Sequence, residues 1–210
     1  MSETATLSPV PIVILAAGAS TRMGSHKLLL DLAGRPVAAW SVIAACASQA
    51  ADVVIVLGRD ADTLEAALPQ KRQRSLRNPA YAQGQGTSLA LAVTAIADTA
   101  PGVVILLADQ PFMDADSIDR VLNAASATPD NIVVGSVDGD TGHPVYLPQR
   151  LFVELAALGG DRGARDVLAR ERDHLIKVTL SNAHAHLDVD TSEDYARAVK
   201  LAYLLTSAEG

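Results

Sequence analysis

Two cations, Arg22 and Lys27, stand close together near the start of the chain. Small residues surround them: Ala16, Ala17, Gly18, Ala19 and Ser20 come before, and Gly24 lies between. Small side chains let backbone N–H groups approach an anion closely, and Arg and Lys neutralise and orient phosphates. Carboxylates suited to a complementary task lie far along the sequence. Asp109 follows the apolar run Val103–Leu107 and precedes Gln110 and Pro111. An acid at a strand end is well placed for Mg²⁺, which takes few carboxylates and completes its shell with phosphate oxygens and water. A turn or helix-capping role is the ordinary alternative for Asp109; beside the Gly18–Lys27 loop the metal reading is favoured. Asp188 and Asp190 alternate along an apolar stretch and so share a direction if that stretch is a strand. One of them, Asp190 by preference, completes the metal site with Asp109. The alternative is that Asp188 bonds a nearby turn and Asp190 or Thr191 caps a helix.

The loop is neither of the commonest phosphate loops. Lys27 is followed by Leu28, which breaks the Gly-x-x-x-x-Gly-Lys-Ser/Thr pattern. Gly18 and Gly24 have no glycine between them, which breaks the dinucleotide fingerprint and argues against a nicotinamide-dependent dehydrogenase. Two further clusters carry chemistry. Asn78, Tyr81, Gly84, Gly86, Thr87 and Ser88 precede or open a helix, where glycines admit a flat base or ribose and N–H donors are free; a capped surface helix is the plain alternative. Downstream, Gly142-His143-Pro144 reads as a turn, and Asp161, Arg162 and Arg165 lie among glycines at a helix start. These arginines suit an acceptor phosphate or polar ring, or simply a capped helix.

These residues need a frame to bring them together, and the chain reads as alternating strands and helices. Strands are expected at Val10–Leu15, Val53–Leu57, Gln73–Leu76, Val103–Leu107, Asn131–Val137, Pro144–Leu147, Leu175–Leu180 and Ala185–Val189. Helices are expected over Pro36–Ala50, from Asp60 or Asp62 through Leu68, over Thr87–Ala97, Ala115–Ala127, Gln149–Leu158 and Arg162–Glu171, and over Ser192–Leu205 capped by Thr191. Alternation with near-continuous apolar strands predicts a single α/β, Rossmann-like domain over residues 10–205. Its central sheet should be mostly parallel, with helices on both faces and a small β-hairpin and acceptor subregion. Short tails at 1–9 and 206–210 flank it. In such a sheet the ligand lies beyond the C-terminal strand ends, so Gly18 and Asp109 should share one edge.

Composition narrows the classes. The 210 residues are 49% hydrophobic but only 3% aromatic, which suits a close-packed core of small aliphatic residues and disfavours single-stranded nucleic-acid binding. A net charge of −7 argues against a nucleic-acid or anionic-membrane surface. The lone Cys46 offers no disulfide framework. The sequence has no signal-like start and no stretch of about 18 apolar residues, so a cytoplasmic location is expected.

Taken in order, Leu15-Ala16-Ala17-Gly18-x-Ser20-x-Arg22-Met23-Gly24-x-x-Lys27, Asn78-x-x-Tyr81-x-x-Gly84, Asp109-Gln110-Pro111, Gly142-His143-Pro144, Gly160-Asp161-x-Gly163-Ala164-Arg165 and Asp188-Val189-Asp190-Thr191 resemble the molybdenum cofactor cytidylyltransferases over roughly residues 10–200. The related guanylyltransferases carry Gly and Met where this chain has Ala17 and Gln110, which points to CTP over GTP. Members often have Gly where this chain has Ala108. The resemblance implies in-line transfer of CMP from CTP to the terminal phosphate of molybdopterin, with release of pyrophosphate and Mg²⁺ as cofactor. It implies catalytic roles for Lys27, Arg22 and Asp109, and Mg²⁺ ligation by Asp109 and Asp190. Leu15, Ala16, Ala17, Gly18, Ala19, Ser20, Arg22, Lys27, Asn78, Gly86, Ser88 and Asp109 are then expected on the nucleotide. His143, Asp161, Arg162 and Arg165 are expected on the acceptor. A recipient molybdoenzyme is the implied partner, with no nucleic acid or membrane. Rival readings are a guanylyltransferase for molybdopterin, a cytidylyltransferase for a sugar or polyol phosphate, and a non-catalytic cofactor chaperone.

Overall fold

A computed structural model describes residues 8–18, 27–160, 164–172 and 175–208, with side chains through residue 205. Its sheet is built from β1 (Ile12–Ala16), β4 (Val53–Leu57), β5 (Arg74–Arg77), β6 (Gly102–Leu107), β7 (Ile132–Val137), β8 (Asp140–Pro148) and β9 (Leu175–Thr179), in the order β5-β4-β1-β6-β8-β7-β9. β1 pairs in parallel with β4 and β6, β4 with β5, and β7 with β9, whereas β8 runs antiparallel to both β6 and β7. A separate short hairpin joins β2 (Asp31–Leu32) and β3 (Arg35–Pro36). The helices are α1 (Val37–Ala47), α2 (Ala61–Ala67), α3 (Gln85–Ile96), α4 (Ala115–Ala127), α5 (Phe152–Ala156), α6 (Arg165–Arg170) and α7 (Ser192–Ala208).

The period of two along a strand sorts the core into two layers. Ile12, Ile14, Val53 and Ile55 pack with Ala38 and Val42 of α1 and Ile118 and Val121 of α4. Val13, Val54 and Val56 face the other way, onto Leu89, Val93 and Ile96 of α3 and Phe152 and Leu155 of α5. Both faces of the sheet are therefore covered, which is why β1, β4 and β6 read as unbroken apolar runs. A smaller cluster of Leu32, Val37, Phe112, Val189, Ala198 and Ala202 docks α7 beside the β2–β3 hairpin.

Chain ends of the elements follow local chemistry. Asp114 caps α4 by accepting from the Ser117 amide at 2.6 Å. Thr191 and Asp194 cap α7 reciprocally: the Asp194 amide donates to Thr191 Oγ1 at 3.1 Å and the Thr191 amide to Asp194 Oδ2 at 3.0 Å. Arg72 closes the other end of α1, donating to the carbonyls of Ala45, Cys46, Ser48 and Ala50.

Several expectations are corrected. Residues 185–189 form no strand; the chain there runs through turns, and its amide Val189 N–H bonds the Asp109 carbonyl at 3.0 Å outside any ladder. The expected five-residue turn at 138–142 shrinks to Asp138-Gly139, both at positive φ (52° and 94°), the geometry of a two-residue hairpin turn. Asp140 to His143 thus belong to β8. Thr87 is not the cap of α3, which starts two residues earlier behind Gly84. Pro36 precedes α1 rather than entering it. α7 runs to Ala208, beyond the expected Leu205.

Candidate active site

β1 is followed in the sheet by β4 on one side and β6 on the other, so the strand order reverses between β1 and β6. A crevice opens beyond the strand ends at such a reversal. Register fixes what meets there. Leu15 is paired with Leu107, and the Ala108 amide donates to the Leu15 carbonyl at 3.1 Å, so the loop after β1 and Asp109 leave the sheet side by side. Gly18 and Asp109 share an edge, as the alternation predicted.

At this edge Lys27 bridges two acids. Its Nζ lies 2.5 Å from Asp109 Oδ2 and 2.6 Å from Asp190 Oδ1. Lys27 sits in a short 3₁₀ turn (Lys27–Leu29) anchored by buried Leu28. Burial alone would lower its pKa, but the Asp109 and Asp190 carboxylates outweigh burial and raise it. Three hydrogen bonds hold the Asp109 turn in place. The fully buried Ser41 hydroxyl of α1 donates to the carbonyls of Leu107 and Gln110, both at 3.1 Å. Gln110 Nε2 donates to Asp188 Oδ1 at 2.9 Å. Burial, and then the nearby Asp109 charge, push the Asp188 pKa up.

The two carboxylates that meet on one ammonium define a position for a cation bounded by oxygen. Among the described residues no group of three or more His, Cys, Asp or Glu side chains gathers to hold a metal. Two carboxylates with room for phosphate oxygens fit Mg²⁺, which rarely takes an all-protein cage, and do not fit a closed structural zinc site. Asp109 and Asp190 are the residues that would hold it.

Beside these acids lies a cavity of about 550 Å³. Leu15, Leu89, Ile105, Leu107 and Val145 form much of its wall, and Gln110, Asp188, His143, His186 and Arg165 bring polar atoms to it. His143 lies within β8, not in a turn, before a cis Pro144, and lines this cavity. Burial, followed by the His186 ring, pushes the His143 pKa down to about 4. His186 Nε2 lies 2.9 Å from the His143 carbonyl, and its ring lies where a Cβ on Gly142 would meet it at 3.0 Å.

The other expected residues fall as follows. Leu15 and Ala16 end β1, and Ala17 is buried behind them. Asn78 is buried at the end of β5; its Nδ2 donates to Thr87 Oγ1 and Ser88 Oγ, both at 2.9 Å, and its Oδ1 accepts from the Ala80 amide. Asn78 and Ser88 thus hold one another. Gly86 touches the acceptor-side loop: its amide donates to the Gly160 carbonyl at 2.9 Å, and a Cβ there would lie 2.8 Å from the Gly159 oxygen. Arg165 opens α6 and lines the cavity. Ala19, Ser20, Arg22, Asp161 and Arg162 lie outside the described residues.

Sequence reasoning passed over two contributors, Ser41 and His186, whereas the Gln110–Asp188 bond is the alternative kept for Asp188, a bond to a nearby turn. Ser41 had a signal, since it is one hydroxyl in an otherwise apolar helix core. His186 had none, because its partner is a carbonyl far away in sequence.

A doubly wound sheet with a cation and two acids at its reversal defines a nucleoside-triphosphate-handling α/β domain. The chain belongs to the MobA-like NTP transferase domain family, whose model matches residues 12–175. It is therefore of nucleotidyltransferase type. It is 34% identical to the purine catabolism protein PucB of Bacillus subtilis over 87% of this chain and 92% of that protein. It is 32% identical to the nicotine blue oxidoreductase of Paenarthrobacter nicotinovorans over 88% of this chain and 94% of that protein. The structure of Rv0371c from Mycobacterium tuberculosis in complex with manganese superposes with a TM-score of 0.75 at 26% identity, covering 91% of this chain and 98% of that one. Among the described residues no helix is long and apolar enough to cross a membrane.

Proposed function

We propose that the chain transfers CMP from CTP to the terminal phosphate of molybdopterin, forming a cytosine dinucleotide cofactor and releasing pyrophosphate. The observation that carries the reading is the convergence of Lys27, Asp109 and Asp190 on one point at the strand-order reversal, next to a mostly apolar cavity. Cytosine is favoured by Ala17, at a position where the related guanylyltransferases have Gly. The acceptor rests on the motifs around His143 and Arg165. The manganese complex of a relative supports a divalent cation.

The chemistry needs no general base, because the attacking phosphate is already an anion. One of its oxygens attacks the α-phosphorus of CTP, the bond to the β-phosphate oxygen breaks, and pyrophosphate departs with the electron pair. Alignment and charge neutralisation supply the rate. Mg²⁺ held by Asp109 and Asp190 would screen the triphosphate oxygens. Lys27 leaves its carboxylates for the α-phosphate, where charge develops. Arg22 and the Gly18–Ser20 backbone hold the outer phosphates. The apolar wall receives the ring portion of the acceptor and keeps water from the reacting phosphorus.

The test is incubation with purified molybdopterin, Mg²⁺ and each nucleoside triphosphate in turn, with mass identification of the product. The expected result is the cytosine dinucleotide with CTP. Preference for GTP, or pterin binding without any pyrophosphate release, would replace this reading with the guanylyltransferase or the chaperone.

A further inference from the structure

Gln110 is only 4% exposed, and its side chain is oriented from two sides. Its Nε2 is committed to Asp188 Oδ1, and its backbone carbonyl is held by Ser41. Its Oε1 is buried and has no hydrogen-bond partner among the described residues. A buried acceptor left unpaired is costly, and a native fold retains few of them without a reason. Gln110 lines the cavity, so a ligand seated there can bring the donor that this oxygen lacks.

The cavity specifies that donor. Leu89, Ile105, Leu107 and Val145 offer apolar surface for the faces of a flat ring. Arg165 shares the lining with the carboxylates of Asp140 and Asp188, so charges of both signs stand on the wall, and burial pushes the His143 pKa down. The wall therefore suits a ring without net charge. Gln110 directly follows Asp109, so a ring against Gln110 directs a phosphorylated tail toward Lys27 and the two acids.

We propose that this cavity seats a flat, uncharged heterocycle with ring or amino N–H groups, and that Gln110 recognises it by accepting one of those N–H groups on Oε1. The inference rests on the acceptor reading above, in which the heterocycle is the pterin ring. It assigns Gln110 to the acceptor rather than to the base of the nucleotide. His186, fixed on the His143 carbonyl beside Gly142, walls the same seat.

The test uses bare pterin as a fluorescent probe, titrated with the protein, alongside CTP and GTP binding by calorimetry with Mg²⁺. Gln110→Met keeps the volume and removes the acceptor. Its pterin affinity is expected to fall between about 5-fold and 100-fold, with the CTP-to-GTP affinity ratio held. Should Gln110→Met fail to fold, Leu168→Trp on α6, which fills the cavity, is expected to exclude pterin and retain CTP. Absence of pterin binding to the unsubstituted protein, or unchanged pterin affinity in Gln110→Met, would overturn the proposal. So would a changed CTP-to-GTP ratio with pterin affinity intact. The two readings fail separately. Gln110-dependent pterin binding without cytosine dinucleotide formation removes the proposed reaction and leaves this site; product formation with pterin affinity unchanged in Gln110→Met does the reverse.

Discussion

Lys27 holds its ammonium where a divalent cation would have to sit, between Asp109 and Asp190. Three like-sized demands then compete for two carboxylates: the lysine, the metal and water. A triphosphate resolves the competition by giving Lys27 another anion, which frees both acids. Mn²⁺ alone is therefore expected to bind weakly and to gain more than 10-fold in affinity when CTP is present, read by the electron paramagnetic resonance of free Mn²⁺. Lys27→Met should bind Mn²⁺ alone more tightly than the unsubstituted chain and lose most of the gain from CTP. Equal metal affinity with and without CTP in the unsubstituted protein would contradict this account. His143 supplies a second residue-level prediction. Its folded pKa of about 4 lies below the ordinary 6.5, so between those values the unfolded chain binds the proton and the folded one does not. Stability should thus fall as pH drops from 6.5 to 4, by up to about 3 kcal/mol at about 1.4 kcal/mol per unit. Urea unfolding of His143→Gln should show a shallower fall over that window; an equal slope would clear His143 of the effect.

Elements carry these residues to their places, and glycines set how closely the elements approach. A Cβ on Gly58 would lie 2.8 Å from the Ala17 carbonyl oxygen, so the end of β4 and the start of the phosphate loop are in near contact. A Cβ on Gly102 would lie 2.2 Å from the Tyr146 ring, at the opposite end of β6 from Asp109. The two positions separate function from packing. Gly58→Ala should lower CTP affinity several-fold through displacement of the Ala17 backbone, with some fall in melting temperature as well. Gly102→Ala should cost about 1–3 kcal/mol of stability through overpacking and leave CTP affinity intact. Calorimetry with thermal melting reads both, and a reversed pattern would refute the assignment. The sequence made most of this scaffold legible. The runs at Val53–Leu57 and Val103–Leu107 declare buried strands because both faces of each are covered. The Asp114 and Thr191 caps were legible from side-chain chemistry. At 185–189 the alternation of Ala185, Leu187 and Val189 reports burial of one side correctly, but alternation carries no information about a pairing partner, and there is none among the described residues. His143 was misplaced for a related reason. Gly-His-Pro looks like a turn, yet the positive-φ pair Asp138-Gly139 makes the reversal earlier. The Lys27 bridge joins residues 82 and 163 positions apart, a distance at which type and spacing indicate shared chemistry but not contact.

In the whole molecule the sheet divides at β8. On one side β5, β4, β1 and β6 run together and end at the phosphate loop and Asp109; on the other, β7 and β9 run the same way with β8 turned against them. That reversal brings the start of β8, with Gly142 and His143, to the same edge as the ends of its neighbours. Its far end is tied down by the Gln149 amide on the Pro101 carbonyl at 2.9 Å, and by Tyr146, whose hydroxyl bonds the carbonyls of Pro101 and Pro129. The first 110 residues, joined by Asp190, hold the parts expected to activate a nucleotide, and residues 132–179 hold most of the wall expected to choose what receives it. In the sheet itself these two stretches share a single ladder, that between β6 and β8. Descendants of one ancestral chain can therefore trade recipients by rewriting one continuous segment, and keep the donor half as inherited capital for each new trade.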